Sequence, residues 1–138
     1  MEKRKARVLI ADDEPHIRSL ISLIVASLGA EVVGEATDGE QALSMYKQFS
    51  PDMVLLDINM PKVDGISVLK QIMALNPRTL VVMLTSLNAL ETVKECIDSG
   101  AWNYILKNTT AEELHKTISA TWGEYMAEIK AGRAVVQS

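Results

Sequence analysis

Short apolar runs alternate with amphipathic stretches along the whole chain. Apolar runs of this kind predict buried β-strands, because the strands of a parallel sheet are covered on both faces and carry hydrophobic residues throughout. The predicted strands are RVLIA at 7–11, EVVGEA at 31–36, DMVLL at 52–56, TLVVML at 79–84 and WNYIL at 102–106.

The stretches between these runs repeat apolar residues every three or four positions, which predicts helices. The first helix is predicted to begin at Pro15, which suits the first turn, and to end at Gly29. Later helices are predicted to begin at polar residues that can cap them, namely Asp38, Asp64, Thr110 and, for the fourth helix, Asn88 or Thr85.

A strand followed by a helix, repeated five times, predicts an α/β fold with a doubly wound parallel sheet. The first, third and fourth strands are the most apolar, so we expect them to be central and the second and fifth to be edges. The strand order 2-1-3-4-5 satisfies this expectation with right-handed crossovers.

Composition narrows the class of protein. The chain has 138 residues, 48% of them hydrophobic, and a net charge of −4, which predicts one globular domain and argues against nucleic-acid binding through these residues. No apolar run reaches the roughly 18 residues of a membrane span. The single cysteine, Cys96, excludes an internal disulfide and favours a cytoplasmic location.

Polar residues follow the strands at one edge of the predicted sheet. With this strand order, ligands bind beyond the carboxyl ends of the strands, where the order reverses between the first and third. Each residue alone is explained as a helix cap or a solvated charge, but together they indicate one site. It contains Asp12, Asp13, Asp57, Thr85 and Lys107.

Three carboxylates at one edge repel each other, at a cost of about 4 kcal/mol for a pair about 4 Å apart at an effective dielectric near 20. Either raised carboxyl pKa values or a divalent cation would relieve the repulsion. Mg²⁺ suits ligands that are all oxygen. With Lys107 and Thr85 alongside, such a site is suited to hold a phosphoryl group, with an Asp oxygen as the nucleophile.

The motifs ADDEPHIR (11–18), VLLDINMPKVDG (54–65), LTS (84–86) and GAWNYILK (100–107) cover nearly the whole chain in order. Through them the chain resembles the receiver domain of two-component response regulators. The resemblance implies the flavodoxin-like (βα)5 receiver fold. It also implies that Asp57 is the phosphoacceptor, charged by a histidine kinase or a phosphotransfer protein.

The resemblance assigns further roles. Thr85 would hydrogen-bond the phosphoryl group and Lys107 would pair with it. Tyr104 would turn inward with Thr85 and change the surface formed by helix 4, strand 5 and helix 5, which engages an output protein or domain. Asn59 and Leu87 would tune self-hydrolysis. Mg²⁺ would be held by Asp12, Asp13, Asp57 and the backbone carbonyl of Asn59.

Two features depart from the family pattern or exceed it. Asn108 stands where the family usually has proline, which leaves the conformation of the Lys107–Asn108 peptide and the placement of Lys107 open. A receiver at 5–121 would leave 122–138 as a helical extension, interrupted by Gly123, which would be a homodimer contact or a linker to an absent output domain.

Trp102, Tyr104 and Leu106 are predicted to share one face of the fifth strand.

The expected function is a phosphorylation-activated switch rather than an enzyme with a separate substrate, with no membrane partner. One alternative is the receiver half of a truncated DNA-binding transcriptional regulator. A phosphatase of the haloacid dehalogenase type also uses an Asp nucleophile, but it needs a second Asp where this chain has Asn59. A receiver-like docking module that works without phosphorylation is opposed by the complete acceptor set.

Overall fold

Five strands alternate with five helices in the computed structural model of the chain, which describes residues 5–86 and 90–131. The third and fourth strands each extend one residue further than predicted, so that Asp57 and Thr85 are the last residues of their strands. The elements are β1 Arg7–Ala11, α1 Pro15–Ser27, β2 Glu31–Ala36, α2 Gly39–Phe49, β3 Met53–Asp57, α3 Gly65–Leu75, β4 Leu80–Thr85, α4 Leu90–Asp98, β5 Asn103–Leu106 and α5 Ala111–Ala131.

The strands form one parallel sheet in the order β2-β1-β3-β4-β5, which confirms the predicted topology. Every residue of β3 and β4 is buried, whereas β2 and β5 mix buried and exposed positions, as expected of edge strands. The register pairs Ala11 with Leu56 and Asp57 with Leu84. The carboxyl ends of β1, β3 and β4 therefore lie side by side.

Helices cover both faces of the sheet. Successive residues of the central strands contribute to opposite faces because side chains alternate along a strand. One core cluster lies under α2, α3 and α4 and includes Leu9, Leu56 and Met83. The other lies under α1 and α5 and includes Ile10, Leu55 and Leu84. None of the helices in the described residues combines the length and hydropathy needed to cross a membrane.

Side-chain caps fix where several helices begin. Asp38 accepts from the Gln41 N–H, and Asp64 accepts from the Ser67 N–H. The Thr110 hydroxyl accepts from the Glu113 N–H. These contacts confirm the predicted caps of α2, α3 and α5. Of the two residues predicted to begin α4, Asn88 lies outside the described residues, and Thr85 is the last residue of β4.

An aromatic cluster fastens the last part of α5 to the sheet. The Tyr125 ring is buried, meets Trp102 edge-on at 5.4 Å between ring centroids, and lies 6.1 Å from Trp122. The Tyr125 hydroxyl donates to the Arg78 carbonyl. Residues 122–131 thus continue α5, and Tyr125 packs into the core.

The contacts of this cluster contradict the prediction that Trp102 and Tyr104 share one face of the fifth strand. Trp102 packs with Ile105 on the face covered by α1 and α5, whereas Tyr104 is 37% exposed. The prediction that Trp102 and Tyr104 share a face is wrong because β5 begins at Asn103, so strand alternation does not extend to Trp102.

The close approach of α3 to β3 generates a stability prediction. A Cβ on Gly65 would lie 2.0 Å from the Asp57 carbonyl oxygen, whereas a Cβ on Gly123 would meet nothing within 4 Å. We expect Gly65→Ala to lower the free energy of unfolding by about 1–3 kcal/mol. Gly123→Ala, the matched control in α5, should raise it by about 0.5–1 kcal/mol. Urea unfolding measures both, and equal effects would contradict the prediction.

The aromatic cluster generates a second one. Tyr125→Ala should lower the free energy of unfolding by about 2–4 kcal/mol, because it empties a buried aromatic site. Met126, its more exposed neighbour, supplies the control, and Met126→Ala should cost less than about 1 kcal/mol. A Tyr125→Ala protein as stable as the Met126→Ala protein would show that the end of α5 contributes nothing to the core.

Candidate functional site

Three carboxylates meet where β1 and β3 end. Asp57 is the last residue of β3, and Asp12 and Asp13 directly follow β1, the neighbouring strand. Each of the three offers an oxygen that lies within 4.8 Å of the other two. Asp12 and Asp57 are buried and Asp13 is exposed, so the cluster opens to solvent on one side.

Lys107 reaches this cluster from the end of β5. Its Nζ lies 3.0 Å from Asp12 Oδ2, 2.6 Å from Glu14 Oε1 and 3.4 Å from Asp57 Oδ2. The backbone N–H of Lys107 donates to the Thr85 carbonyl at 2.8 Å, which ties the loop after β5 to the end of β4. None of the peptide bonds between described residues is cis, so the lysine reaches the site with a trans bond before Asn108.

The surroundings of Asp57 disfavour its charged form. Burial, followed by repulsion from Asp12, raises the pKa of Asp57 to about 6, although Lys107 and the Asn59 N–H oppose the shift. The Asn59 N–H donates to Asp57 Oδ1 at 3.2 Å. At neutral pH the carboxyl is therefore largely ionised but stabilised much less than in water.

Lys107 and Glu14 stabilise each other's charged forms. Burial alone would lower the pKa of Lys107, but its contacts with Glu14, Asp12 and Asp57 outweigh burial and raise it. The hydrogen bond from Lys107, and then its charge, lower the pKa of Glu14. Both groups are therefore ionised at neutral pH.

Backbone contacts hold the loop after β1 in place. Arg18 Nη1 of α1 donates to the Asp12 carbonyl at 2.7 Å, and its Nε lies 3.5 Å from Glu35 Oε1 on β2. The Glu14 N–H donates to Asp12 Oδ1 at 2.8 Å. Arg18 thus orients Asp12 from behind the cluster.

Sequence reasoning gave no role to Glu14 or Arg18. Both lie in the ADDEPHIR motif, which carries the resemblance as a whole and assigns neither residue a role of its own. The sequence offers two signals for them. Glu14 is a third consecutive acid at the same edge of the sheet, and Arg18 is a cation near the start of the following helix.

The donor set fits a hard divalent cation. All three cluster residues offer carboxylate oxygens, the ligand type such cations prefer, and the exposed Asp13 leaves room for retained water. Lys107 pairs with three carboxylates, those of Asp12, Glu14 and Asp57, and Asp13 adds a fourth negative charge to the cluster. The cluster is therefore compatible with a metal ion.

The remaining predicted residues are placed as follows. Thr85 is buried at the end of β4, and Tyr104 is partly exposed on β5, where it pairs in register with Met83. Asn59 is exposed just after β3. Leu87 lies outside the described residues.

Comparison with known proteins gives one family. The family model for the response regulator receiver domain matches residues 8–119. The chain is 37% identical over 115 residues to the chemotaxis protein CheY of Bacillus subtilis, covering 83% of this chain and 96% of that protein. It is 41% identical over 121 residues to the uncharacterized transcriptional regulatory protein YxjL of the same organism, covering 87% of this chain and 56% of that protein.

Solved structures agree with these relatives. CheY in the CheX–CheY–BeF3–Mg complex from Borrelia burgdorferi aligns with a TM-score of 0.80 at 33% identity, covering 85% of this chain and 89% of that one. A CheY-like receiver domain protein from Methanospirillum hungatei JF-1 aligns with a TM-score of 0.81 at 26% identity, covering 91% and 99%. The chain spans 56% of the transcriptional regulator but nearly all of the Bacillus CheY.

The raised pKa of Asp57 generates a pH prediction. In the unfolded chain the carboxyl titrates near its ordinary value, about 3.9, and in the folded chain near 6. Folding therefore favours the protonated form, and the stability that this carboxyl provides below pH 4 is lost as the pH rises through 6. The loss corresponds to about 3 kcal/mol.

Asp57→Asn removes this titration. We expect the variant to be more stable than the natural chain at pH 7.5, by up to about 3 kcal/mol, and to lose the advantage at pH 4. Urea unfolding at both pH values, with a chelator present throughout, measures the difference. A difference that does not change with pH would contradict the raised pKa.

Proposed function

We propose that this chain, which belongs to the response regulator receiver domain family of two-component systems, is a phosphorylation-activated signalling switch. Asp57 is the phosphoacceptor. The observation that carries the proposal is the buried Asp57 carboxylate at a strand end, between Asp12 and the Lys107 ammonium.

The reaction is a transfer onto an oxygen of Asp57. A carboxylate oxygen attacks the phosphorus of a phosphohistidine on a sensor kinase or phosphotransfer protein; the O–P bond forms as the P–N bond breaks, leaving an acyl phosphate on Asp57. Lys107, 3.4 Å from Asp57 Oδ2, and the Thr85 hydroxyl at the end of β4 would stabilise the transferred group. Self-catalysed hydrolysis reverses the modification.

Mg²⁺ would be held by Asp12, Asp13, Asp57 and the Asn59 backbone carbonyl. It supplies positive charge that offsets the charge of the incoming phosphoryl oxygens. Asp13, the exposed member, would bind it directly, and the buried Asp12, which already accepts from Lys107 and the Glu14 N–H, would bind through water. Asn59 and Leu87 would adjust how readily water attacks the acyl phosphate.

The output is a change of the surface formed by α4, β5 and α5. Thr85 would move toward the phosphoryl group, and Tyr104, partly exposed on β5, would turn into the space it leaves. Leu90 is an exposed apolar side chain of α4, which suits contact with a protein partner. The new charge at Asp57 biases this bistable pair.

Whether the receiver acts on a separate output protein or is joined to an output domain is also a matter for proposal. Near-complete coverage of the Bacillus CheY favours a receiver that acts on a separate output protein, in the cytoplasm, as the single cysteine suits. The partial coverage of YxjL keeps the receiver half of a DNA-binding regulator as the second candidate. Residues 5–121 would form the receiver, with 122–138 as an extension that forms a homodimer contact or leads to an output domain.

Phosphorylation can be measured directly by intact mass. We expect the chain to gain the mass of one phosphoryl group when mixed with Mg²⁺ and a small acyl phosphate, and to lose the gain when a chelator replaces Mg²⁺. Mass is preferred to tryptophan fluorescence because Trp102 and Trp122 pack at the opposite end of the sheet from Asp57.

Two variants separate the acceptor from other carboxylates. Asp57→Asn should abolish the gain, whereas Asp64→Asn, which alters the exposed cap of α3, should retain it. A natural chain that never gains the phosphoryl mass, or an Asp57→Asn protein that still does, would refute the proposal.

A further inference from the structure

Glu14 makes the shortest of the ion pairs to Lys107 in the described structure. Its Oε1 lies 2.6 Å from Nζ, compared with 3.0 Å for Asp12 and 3.4 Å for Asp57. Lys107 is therefore bound more closely by a residue at the mouth of the site than by the predicted phosphoacceptor.

The backbone position of Glu14 does not explain this contact. Glu14 is the residue before the first turn of α1, where Ser, Thr, Asp or Asn would cap the helix. Its side chain makes no capping hydrogen bond and points to Lys107 instead. The ion pair joins the start of α1 to the end of β5 across the site.

An ammonium has three N–H donors, and three carboxylates surround Lys107. A phosphoryl group on Asp57 brings a charge of about −1.5 to −2 and strong acceptor oxygens. Lys107 now donates to Asp12 Oδ2 and Glu14 Oε1 and lies farther from Asp57, so moving its ammonium toward a phosphoryl group on Asp57 weakens one of these two hydrogen bonds. Asp12 is fully buried, whereas Glu14 is 44% exposed, so water can replace the contact of Lys107 with Glu14 more readily than its contact with Asp12.

We propose that Glu14 is a positioning residue that holds Lys107 away from the phosphoryl site and releases it when the group arrives. The inference rests on the proposed function, since it concerns the same lysine. Glu14 thus competes with the phosphoryl group for Lys107 and sets how strongly the site favours its phosphorylated state.

Removing the competitor should strengthen binding of a phosphoryl mimic. We expect Glu14→Gln to bind beryllofluoride, in saturating Mg²⁺, about two- to fivefold more tightly than the natural chain, the size of effect that a partly exposed ion pair supports. Titration followed by ¹⁹F NMR of the bound fluorides measures the affinity and does not depend on a change in tryptophan fluorescence. Glu95→Gln is the matched control, because Glu95 is 52% exposed and pairs with Lys70 at 3.3 Å outside the cluster; it should leave the affinity unchanged.

A double-mutant cycle separates positioning from the loss of a negative charge near the site. If Glu14 acts through Lys107, Glu14→Gln should change nothing in a Lys107→Gln background, titrated at higher beryllofluoride concentrations. A gain that persists without Lys107 would overturn the proposal, as would equal or weaker binding by Glu14→Gln alone. No binding by the natural chain would instead refute the proposed function.

Discussion

The site depends on the repulsion among carboxylates at one edge of a buried sheet. Asp12, Asp13 and Asp57 offer oxygens within 4.8 Å of one another, so each pair costs about 3–4 kcal/mol at an effective dielectric near 20 if both members are ionised. A fold that buries Asp12 and Asp57 together must supply positive charge at the same place. Lys107 supplies it from β5, and its contacts with three carboxylates hold the ends of β1, β3 and β5 in one arrangement.

The scaffold makes that arrangement rigid. Neighbouring strands fix the spacing, since Ala11 pairs with Leu56 one residue before Asp12 and Asp57. Arg18 of α1 donates a hydrogen bond to the Asp12 carbonyl. Because Gly65 has no side chain, α3 can approach the Asp57 carbonyl more closely than a Cβ would allow. A stable core therefore maintains an electrostatically unfavourable site, and that stored cost is available to a ligand that relieves it.

Strand order and edge residues were predictable from sequence because both follow from local patterns. The apolar runs identify the strands, their differing hydrophobicity separates central strands from edges, and parallel strands place all their carboxyl ends together. The caps at Asp38 and Asp64 are local for the same reason.

The missed features depend on contacts between distant parts of the chain. Glu14 lies where sequence rules expect a cap or a solvated charge, and only the fold brings Lys107 to it from 93 residues away. Strand alternation predicts the wrong face for Trp102 because periodicity does not show where β5 begins. The Tyr125 contact that positions Trp102 comes from the far end of α5. Asn108 leaves the placement of Lys107 open in the sequence. In the structure, the hydrogen bond from the Lys107 backbone N–H to the Thr85 carbonyl fixes the start of this loop.

These observations bear on how such a site is switched. Asp12, Asp13, Asp57 and Glu14 bring four negative charges to a site where Lys107 pairs with three of them. Adding a phosphoryl group to Asp57 without a further cation would therefore increase the excess of negative charge. A divalent cation held by the carboxylate cluster would offset this excess of negative charge, and the phosphoryl group could then pair with Lys107. In the proposed switch the lysine is then shared between Glu14 at the mouth of the site and the phosphoryl group inside it. Because Lys107 directly follows β5 and Tyr104 lies on it, a change in the contacts of Lys107 would act on a strand that belongs to the proposed partner surface.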